Sequence, residues 1–252
     1  MRLSVLVAVL GACAPFGSEP PPVEEKAPVD AGVQSIADAA PRDASFCMTA
    51  ARHVACEDFE GDRHPGWESV PEEGVVVRHP SGDPGRGNVG RVSIHGRSVL
   101  RDVFDVSPKD ASAYTLSFEL RVVAAPQEPA HRNEIAGINV GGRNTHLDIE
   151  HFGGKPALTV RFHAAPGDLG PPLHIADVTP GVWQRVTMRV MMQGVASLKA
   201  EISIDGAPPK GRENVPFEPR DQERYAAIGM PWAEESPGTV EYWIDDILVT
   251  AE

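Results

Sequence analysis

Two short stretches concentrate titratable side chains at alternating positions. In 145–152, His146, Asp148 and Glu150 are separated by Leu147 and Ile149; in 157–163, Thr159, Arg161 and His163 alternate with Leu158, Val160 and Phe162. A period of two is the period of a β-strand, so in each stretch the apolar set faces one way and the polar set the other. If the two strands are neighbours, two imidazoles, two carboxylates and a guanidinium share one face. Such a face can grip a sugar through its hydroxyls and polarise it, and histidine is the side chain that moves a proton near neutral pH. Just upstream, Arg132 and Glu134 lie at the same spacing in Arg132-Asn133-Glu134. The plainer reading is a solvated outer face with cross-strand charge pairs worth about 0.2–1 kcal/mol each.

Strands must carry these groups, and the surrounding sequence is organised for strands. In 114–122, Tyr114, Leu116, Phe118, Leu120 and Val122 oppose Thr115, Ser117, Glu119 and Arg121. The alternation recurs at Val186/Met188/Val190 and at Leu198/Ala200/Ile202/Ile204, the latter ending in Asp205-Gly206, a hairpin signal. Weaker candidates lie at 54–59, 75–78, 90–94, 98–105, 133–140, 145–152, 157–163, 172–175 and 223–229. In the last segment Val240, Tyr242 and Ile244 share one phase and Ile247 and Val249 the other, which predicts a bulge at Asp245-Asp246. So apolar a terminal strand is expected inside a sheet. With 24 Gly, 24 Pro and no long helical pattern, the chain reads as a turn-rich all-β protein.

The N-terminus concerns location. Arg2 precedes an apolar run, Leu3 to Leu10, that closes in Leu10-Gly11-Ala12-Cys13. The run is short of the roughly 20 apolar residues a spanning helix needs, and it resembles the signal peptide and lipobox of a bacterial lipoprotein. An ordinary signal-peptidase site with Cys13 incidental is the other reading. The expected organisation is a signal peptide at 1–12, a disordered tether rich in Pro, Ala and acids at 13–45, and one domain at 46–252. Lipidation at Cys13 would make the lipid anchor the only contact with a membrane, and Ala14 resembles outer-membrane sorting within the cell envelope. Cys47 and Cys56 then remain as an even pair, expected as a disulfide in an oxidising compartment. Loss of Arg2 with the leader leaves 22 Lys+Arg against 36 Asp+Glu, a formal charge of -14. Nucleic acid is not an expected partner of so acidic a chain.

Three segments together resemble the concanavalin A-like lectin/glucanase superfamily: Cys56-Glu-Asp-Phe-Glu-Gly-Asp62 with Trp67, Gly181-Val-Trp-Gln-Arg-Val-Thr-Met188, and Val240-Glu-Tyr-Trp-Ile-Asp-Asp-Ile-Leu-Val249. The resemblance covers 46–252 and implies an antiparallel jelly-roll sandwich whose first and last strands pair. Its motifs are framework residues and speak for fold far more than for activity.

What the resemblance implies about chemistry is mixed. The β-glucanase branch uses Glu-x-Asp-x-x-Glu on one strand, and no such string occurs. Alginate-lyase relatives use Arg-x-Glu-x-Arg, Gln-x-His and a Tyr-rich strand. Here Arg132-Asn133-Glu134 keeps two charged positions with Ala136 in the third, Asn144-Thr145-His146 echoes Gln-x-His, and only Tyr114, Tyr225 and Tyr242 exist. If the domain is a lyase, its catalytic candidates are His146, Arg132, Glu134 and His163. Many relatives carry a structural Ca²⁺, for which Asp58, Asp245 and Asp246 are the candidates, against the alternative that the pair at 245–246 satisfies backbone donors at the bulge. Trp232, in Gly229-Met-Pro-Trp-Ala, is expected on a loop, either stacking on a sugar or covering the core. The expectation taken forward is a lipid-anchored domain that binds a glycan or cell-envelope polysaccharide through His146, Asp148, Glu150, Arg161, His163 and Trp232, with no cofactor beyond a possible Ca²⁺. Its rivals are a divergent polysaccharide lyase or glycoside hydrolase, and a non-catalytic adhesion or scaffold module.

Overall fold

The computed structural model describes residues 46–252 except 51–52, 61–67, 71–73, 96–98, 106–109, 126–131, 165–166, 218–223 and 234–238. The chain divides into two compact units, Met1–Asp38 and Ala39–Glu252, and every described residue belongs to the second. The leader, the tether, Cys13 and Trp67 lie outside the described residues.

Two eight-stranded antiparallel sheets carry nearly all of the described backbone. With strands numbered in chain order, the first sheet runs β14 (Lys210–Pro216), β13 (Ser197–Ile204), β12 (Trp183–Met192), β6 (Ala113–Ala124), β16 (Thr239–Ala251), β4 (Asn88–His95), β3 (Gly74–Pro80), and β1 (Ala55–Glu57) also pairs with β16. The second runs β10 (Gly167–Asp168), β9 (Lys155–Ala164), β8 (Arg143–Phe152), β7 (Arg132–Val140), β15 (Arg224–Ala233), β5 (Val99–Asp105), β2 (Glu68–Val70), and β11 (Leu173–Asp177) adds to β9. This is the jelly-roll type of β-sandwich that the alternation predicts. The two apolar faces meet in one core. Leu116, Phe118 and Leu120 of β6 and Val186 and Met188 of β12 are fully buried, as are Leu147 and Ile149 of β8 and Leu158 and Val160 of β9. Burying each such side chain contributes roughly 1.5–3 kcal/mol.

The remaining expectations about elements can be settled strand by strand. In β16, Asp245 pairs with Glu119 and Leu248 with Ser117, so three steps on one strand oppose two on the other. Asp246 takes the left-handed conformation there (φ 49°). The extra residue lets Tyr242 and Ile244 before it and Ile247 and Val249 after it all reach the core. β16 lies between β6 and β4 and also pairs with β1, so the first and last strands of the domain do meet. Asp205 and Gly206 have φ of 52° and 70° and are closed by Ala207 N–H donating to Ile204 O at 2.9 Å, a type I′ turn. Cys47 and Cys56 form a disulfide that ties a single helical turn, α1 (Phe46–Thr49), to β1. Three strands lack a sequence signal: β2, β10 and β14. In β14 only Val215 is buried, so it is an edge strand whose charged residues read as a loop.

Candidate functional site

Register places the polar residues of β7, β8 and β9 on the outward face of the second sheet in cross-strand rows. Glu134 opposes Asp148, which opposes Thr159; Gly137 opposes His146, which opposes Arg161; Asn139 opposes Asn144, which opposes His163. β15 extends the last row with Tyr225, paired to Asn139. Arg132 pairs with Glu150 at the other end. All seven side chains expected from 132–163 therefore share one face, while Leu147, Ile149, Leu158 and Val160 between them face the core.

A bulge decides how they meet. Between Glu134 and Ala136, β7 gains one residue relative to β8. The extra residue returns Ala136 to the core, where it is fully buried opposite Leu147, and brings Gly137 out beside His146. Position 136 therefore does not belong to the polar face, and the third charged position of the Arg-x-Glu-x-Arg pattern has no counterpart on it. A Cβ at Gly137 would lie 3.0 Å from Glu134 Oε1 and 3.7 Å from His146 Nδ1. The missing side chain is what lets Glu134 fold over to His146. Their approach is close, with His146 Nδ1 2.6 Å from Glu134 Oε1. In the neutral tautomer whose proton sits on Nδ1, facing the carboxylate, Nε2 is the lone-pair nitrogen. Burial pulls the His146 pKa down, but the Glu134 contact and the charges of Glu134 and Asp148 outweigh it and hold it above the ordinary value, with Arg132 opposing.

Arg161 is the hub of the face. Its Nη2 lies 2.5 Å from Glu150 Oε2, its Nε 3.2 Å from Asp148 Oδ2 and its Nη1 3.3 Å from Asp168 Oδ2. Thr159 donates to Glu150 at 2.7 Å. Asp168, on the two-residue strand β10, also stands 3.7 Å from Arg132 and 3.2 Å from His163 Nδ1. Burial works to raise its pKa, but the His163 hydrogen bond and the two arginines lower it below the ordinary value. The rings of His146 and His163 meet edge to face, with centroids 6.0 Å apart. Asp148 lies beneath this layer, fully buried, and neither of its oxygens has a hydrogen-bond donor among the described residues. Burial pushes its pKa up to about 7, against Arg132, His146 and Arg161, with Glu134 adding to the rise.

Three side chains of this face were not legible as site residues. Asp168 sits on a strand too short to show a pattern. Asn139 donates to the Tyr225 hydroxyl at 3.4 Å, and both were identifiable only through the phase of their strands, Tyr225 and Ala227 outward against Ala226 and Ile228. Tyr114 and Tyr242 are framework residues: both are fully buried, Arg224 donates to the Tyr114 hydroxyl at 3.0 Å, and the Tyr242 hydroxyl donates to Gly229 O.

One other expectation changes. Trp232 is on strand β15, in register with Glu134, and not on a loop; its side chain lies outside the described residues. Two of the three calcium candidates make polar contacts within the protein. Asp58 accepts from the Cys47 and Glu60 amides at 3.1 and 3.3 Å, and Asp245 is held by Arg86 at 2.8 Å, whose positive charge opposes a cation there. Among the described residues no three His, Cys, Asp or Glu side chains converge in a metal-holding group.

No family model and no curated protein matches this sequence. Solved structures do match. The endo-β-1,4-glucuronan lyase of the fungus Trichoderma reesei aligns over 80% of this chain and 96% of its own, with a TM-score of 0.58 and 16% identity. A variant of alginate lyase Aly36B in complex with alginate tetrasaccharide aligns over 67% of this chain and 84% of its own (TM-score 0.51, 15% identity). An alginate lyase of Chlorella virus aligns over 74% and 93% (TM-score 0.51, 10% identity). At such identities what is shared is the β-sandwich.

Proposed function

We propose that this protein is a polysaccharide lyase that cleaves a uronate-containing glycan by β-elimination on the outward face of the second sheet. The observation that carries the reading is the His146–Glu134 pair: an imidazole whose Nδ1 stands 2.6 Å from a carboxylate, on the same face as Arg132, Tyr225 and Asn139. The polyuronate lyases among its structural neighbours support the same choice.

β-Elimination needs an acidic C–H beside a carboxylate. Arg132 takes the uronate carboxylate, and its charge stabilises the negative charge that develops when C5 loses its proton. His146 Nε2 accepts that proton. The electron pair forms the C4–C5 double bond, the C4–O4 bond breaks, and O4 leaves with a proton from the imidazolium just formed. The Tyr225 hydroxyl, held by Asn139, is a second donor on this face. Hydrolysis fits less well. It needs two carboxyl groups flanking the bond, whereas Asp148 is fully buried and Glu134 is engaged by His146.

Glycan binding without cleavage is the second reading, and one observation favours it. Four carboxylates, Glu134, Asp148, Glu150 and Asp168, stand against two arginines, and Arg161 is held by three of them. Incubation of the full chain with a panel of polyuronates and neutral polysaccharides decides between the two. A rise in ultraviolet absorbance from the conjugated C4–C5 double bond supports the lyase; retention on a polysaccharide with no product overturns it in favour of the lectin-like reading. Residues 1–13, read as an export signal ending in a lipidated Cys13, and the Cys47–Cys56 disulfide support a cell-envelope setting.

A further inference from the structure

Asp148 is out of place on the outward face of a sheet. A carboxyl group there is ordinarily solvated, yet Asp148 is fully buried, neither oxygen has a hydrogen-bond donor among the described residues, and Arg161 Nε lies 3.2 Å from Oδ2. Keeping an unsatisfied carboxyl under cover is costly, and such groups concentrate where proton affinities are tuned. Asp148 lies two residues from His146 on β8 and directly opposite Glu134 on β7, and the His146–Glu134 contact is formed beside it.

We propose that Asp148 is a positioning residue of the site, whose buried carboxyl is electrostatically coupled to the His146–Glu134 pair and so governs when His146 is free to accept a proton from the sugar. The inference rests on the lyase reading for its functional meaning, but the coupling itself does not. The groups facing Asp148 and its layer are Arg132 and Glu134 on β7, His146 and Glu150 on β8, Arg161 and His163 on β9, Asp168 on β10 and His174 on β11, which pairs with Thr159. Of these, Glu150 and Asp168 are matched by Arg161 and, for Asp168, by Arg132 as well. Asp148 has one such neighbour, Arg161 Nε at 3.2 Å, and His146 is its nearest histidine in sequence, two positions away on β8. His146 and Asp148 sit on the outward side of β8, with Asp148 fully buried, and the charge of each is among the causes that move the other's proton affinity. Two groups so placed titrate as a pair, in two shared steps and not as independent sites.

The sign of the test follows. An Asp148 anion favours the imidazolium, so removing it lowers the proton affinity of His146. In Asp148→Asn the midpoint of the His146 ring resonances, followed by NMR against pH on the full chain, is expected to fall by roughly 0.5–1.5 pH units, the Coulomb interaction of two charges about 7 Å apart in a protein-like medium. His163 and His174 serve as internal controls. The acid limb of product formation is expected to move the same way, by the same amount, with KM little changed. An unshifted His146 midpoint in a folded variant overturns the proposal. If the variant does not fold, the wild-type titration decides: shared two-step curves for the His146 ring and the Asp148 carboxyl carbon support it, and unrelated single-step curves overturn it. Absence of lyase product from every polysaccharide would remove the lyase reading and leave the titration to judge the coupling; an active enzyme with an unshifted His146 would do the reverse.

Discussion

At the scale of the residue, the site depends on a few side chains held in unfavourable circumstances. Glycine at position 137 leaves room for Glu134 beside His146, since a Cβ there would come within 3.0 Å of Glu134 Oε1. Replacing His146 by Gln keeps the size of the side chain and removes the base. Product formation is expected to fall by about 10²–10⁴-fold, the usual contribution of a general base, with little change in melting temperature. Asp148 makes a separable prediction about stability. Its folded-state pKa of about 7 lies above the ordinary value of 3.8, so the folded state binds a proton the unfolded state releases. The corresponding stability is fully present below the lower value and is lost as pH rises through the upper one. Asp148→Asn is therefore expected to gain on the wild type as pH rises, by on the order of 1–3 kcal/mol between about pH 4 and pH 8, as checked by denaturant unfolding at both pH values. A site residue whose removal stabilises the fold is what a strained functional group looks like.

At the scale of the element, single-residue irregularities determine which side chains share a face. The bulge in β7 moves Ala136 inward and Gly137 outward; the bulge in β16 keeps the strand apolar side inward past Asp246. On the outward face of the first sheet, Trp183, Arg121, Trp243 and Arg91 form one cross-strand row. The turn after β3 folds onto that row: Asp83 accepts from Trp183 Nε1 at 2.7 Å and from Arg121 Nη1 at 3.0 Å, and Arg86 stacks 4.0 Å from the Trp183 ring centre. Underneath, the fully buried Phe59 ring presses on Gly90 of β4, where a Cβ would fall 2.4 Å from Phe59 Cζ. Gly90→Ala is expected to destabilise by about 1–3 kcal/mol through overpacking, measurable as a lower unfolding midpoint with an unchanged m-value, and to leave the proposed glycan site on the opposite sheet unaltered.

At the scale of the whole molecule, the sandwich separates a framework sheet from a site sheet. Sequence-distant strands close both: β1 pairs with β16, and β15 inserts between β7 and β5. The Cys47–Cys56 disulfide fastens α1 to β1 at the edge of this arrangement, with Cys47 N–H also donating to Asp58 at 3.1 Å. The loop it closes is short, so mild reduction is expected to lower stability by about 2–3 kcal/mol without unfolding the domain. Calorimetry with and without reductant checks this, and the polysaccharide assay under the same conditions should show activity retained, since the disulfide belongs to the first sheet and His146 to the second.

Most strands other than β2, β10 and β14, a turn at Asp205-Gly206, the bulge at Asp245-Asp246 and the common face of His146, Asp148 and Glu150 were legible in one dimension, because a period of two is written into neighbouring residues. The chain alone also determined its acidity and its even pair of domain cysteines. Tertiary structure alone decided which strands are neighbours, that a bulge at Ile135 exchanges Ala136 for Gly137 on the site face, and that Tyr225 and Asp168 join it from β15 and β10. It alone decided that Asp148 is buried. The physical reason is that alternation reports which way a side chain points within its own strand, whereas pairing, register slips and the long arginines that cover a carboxylate are properties of strands brought together from far apart in the chain.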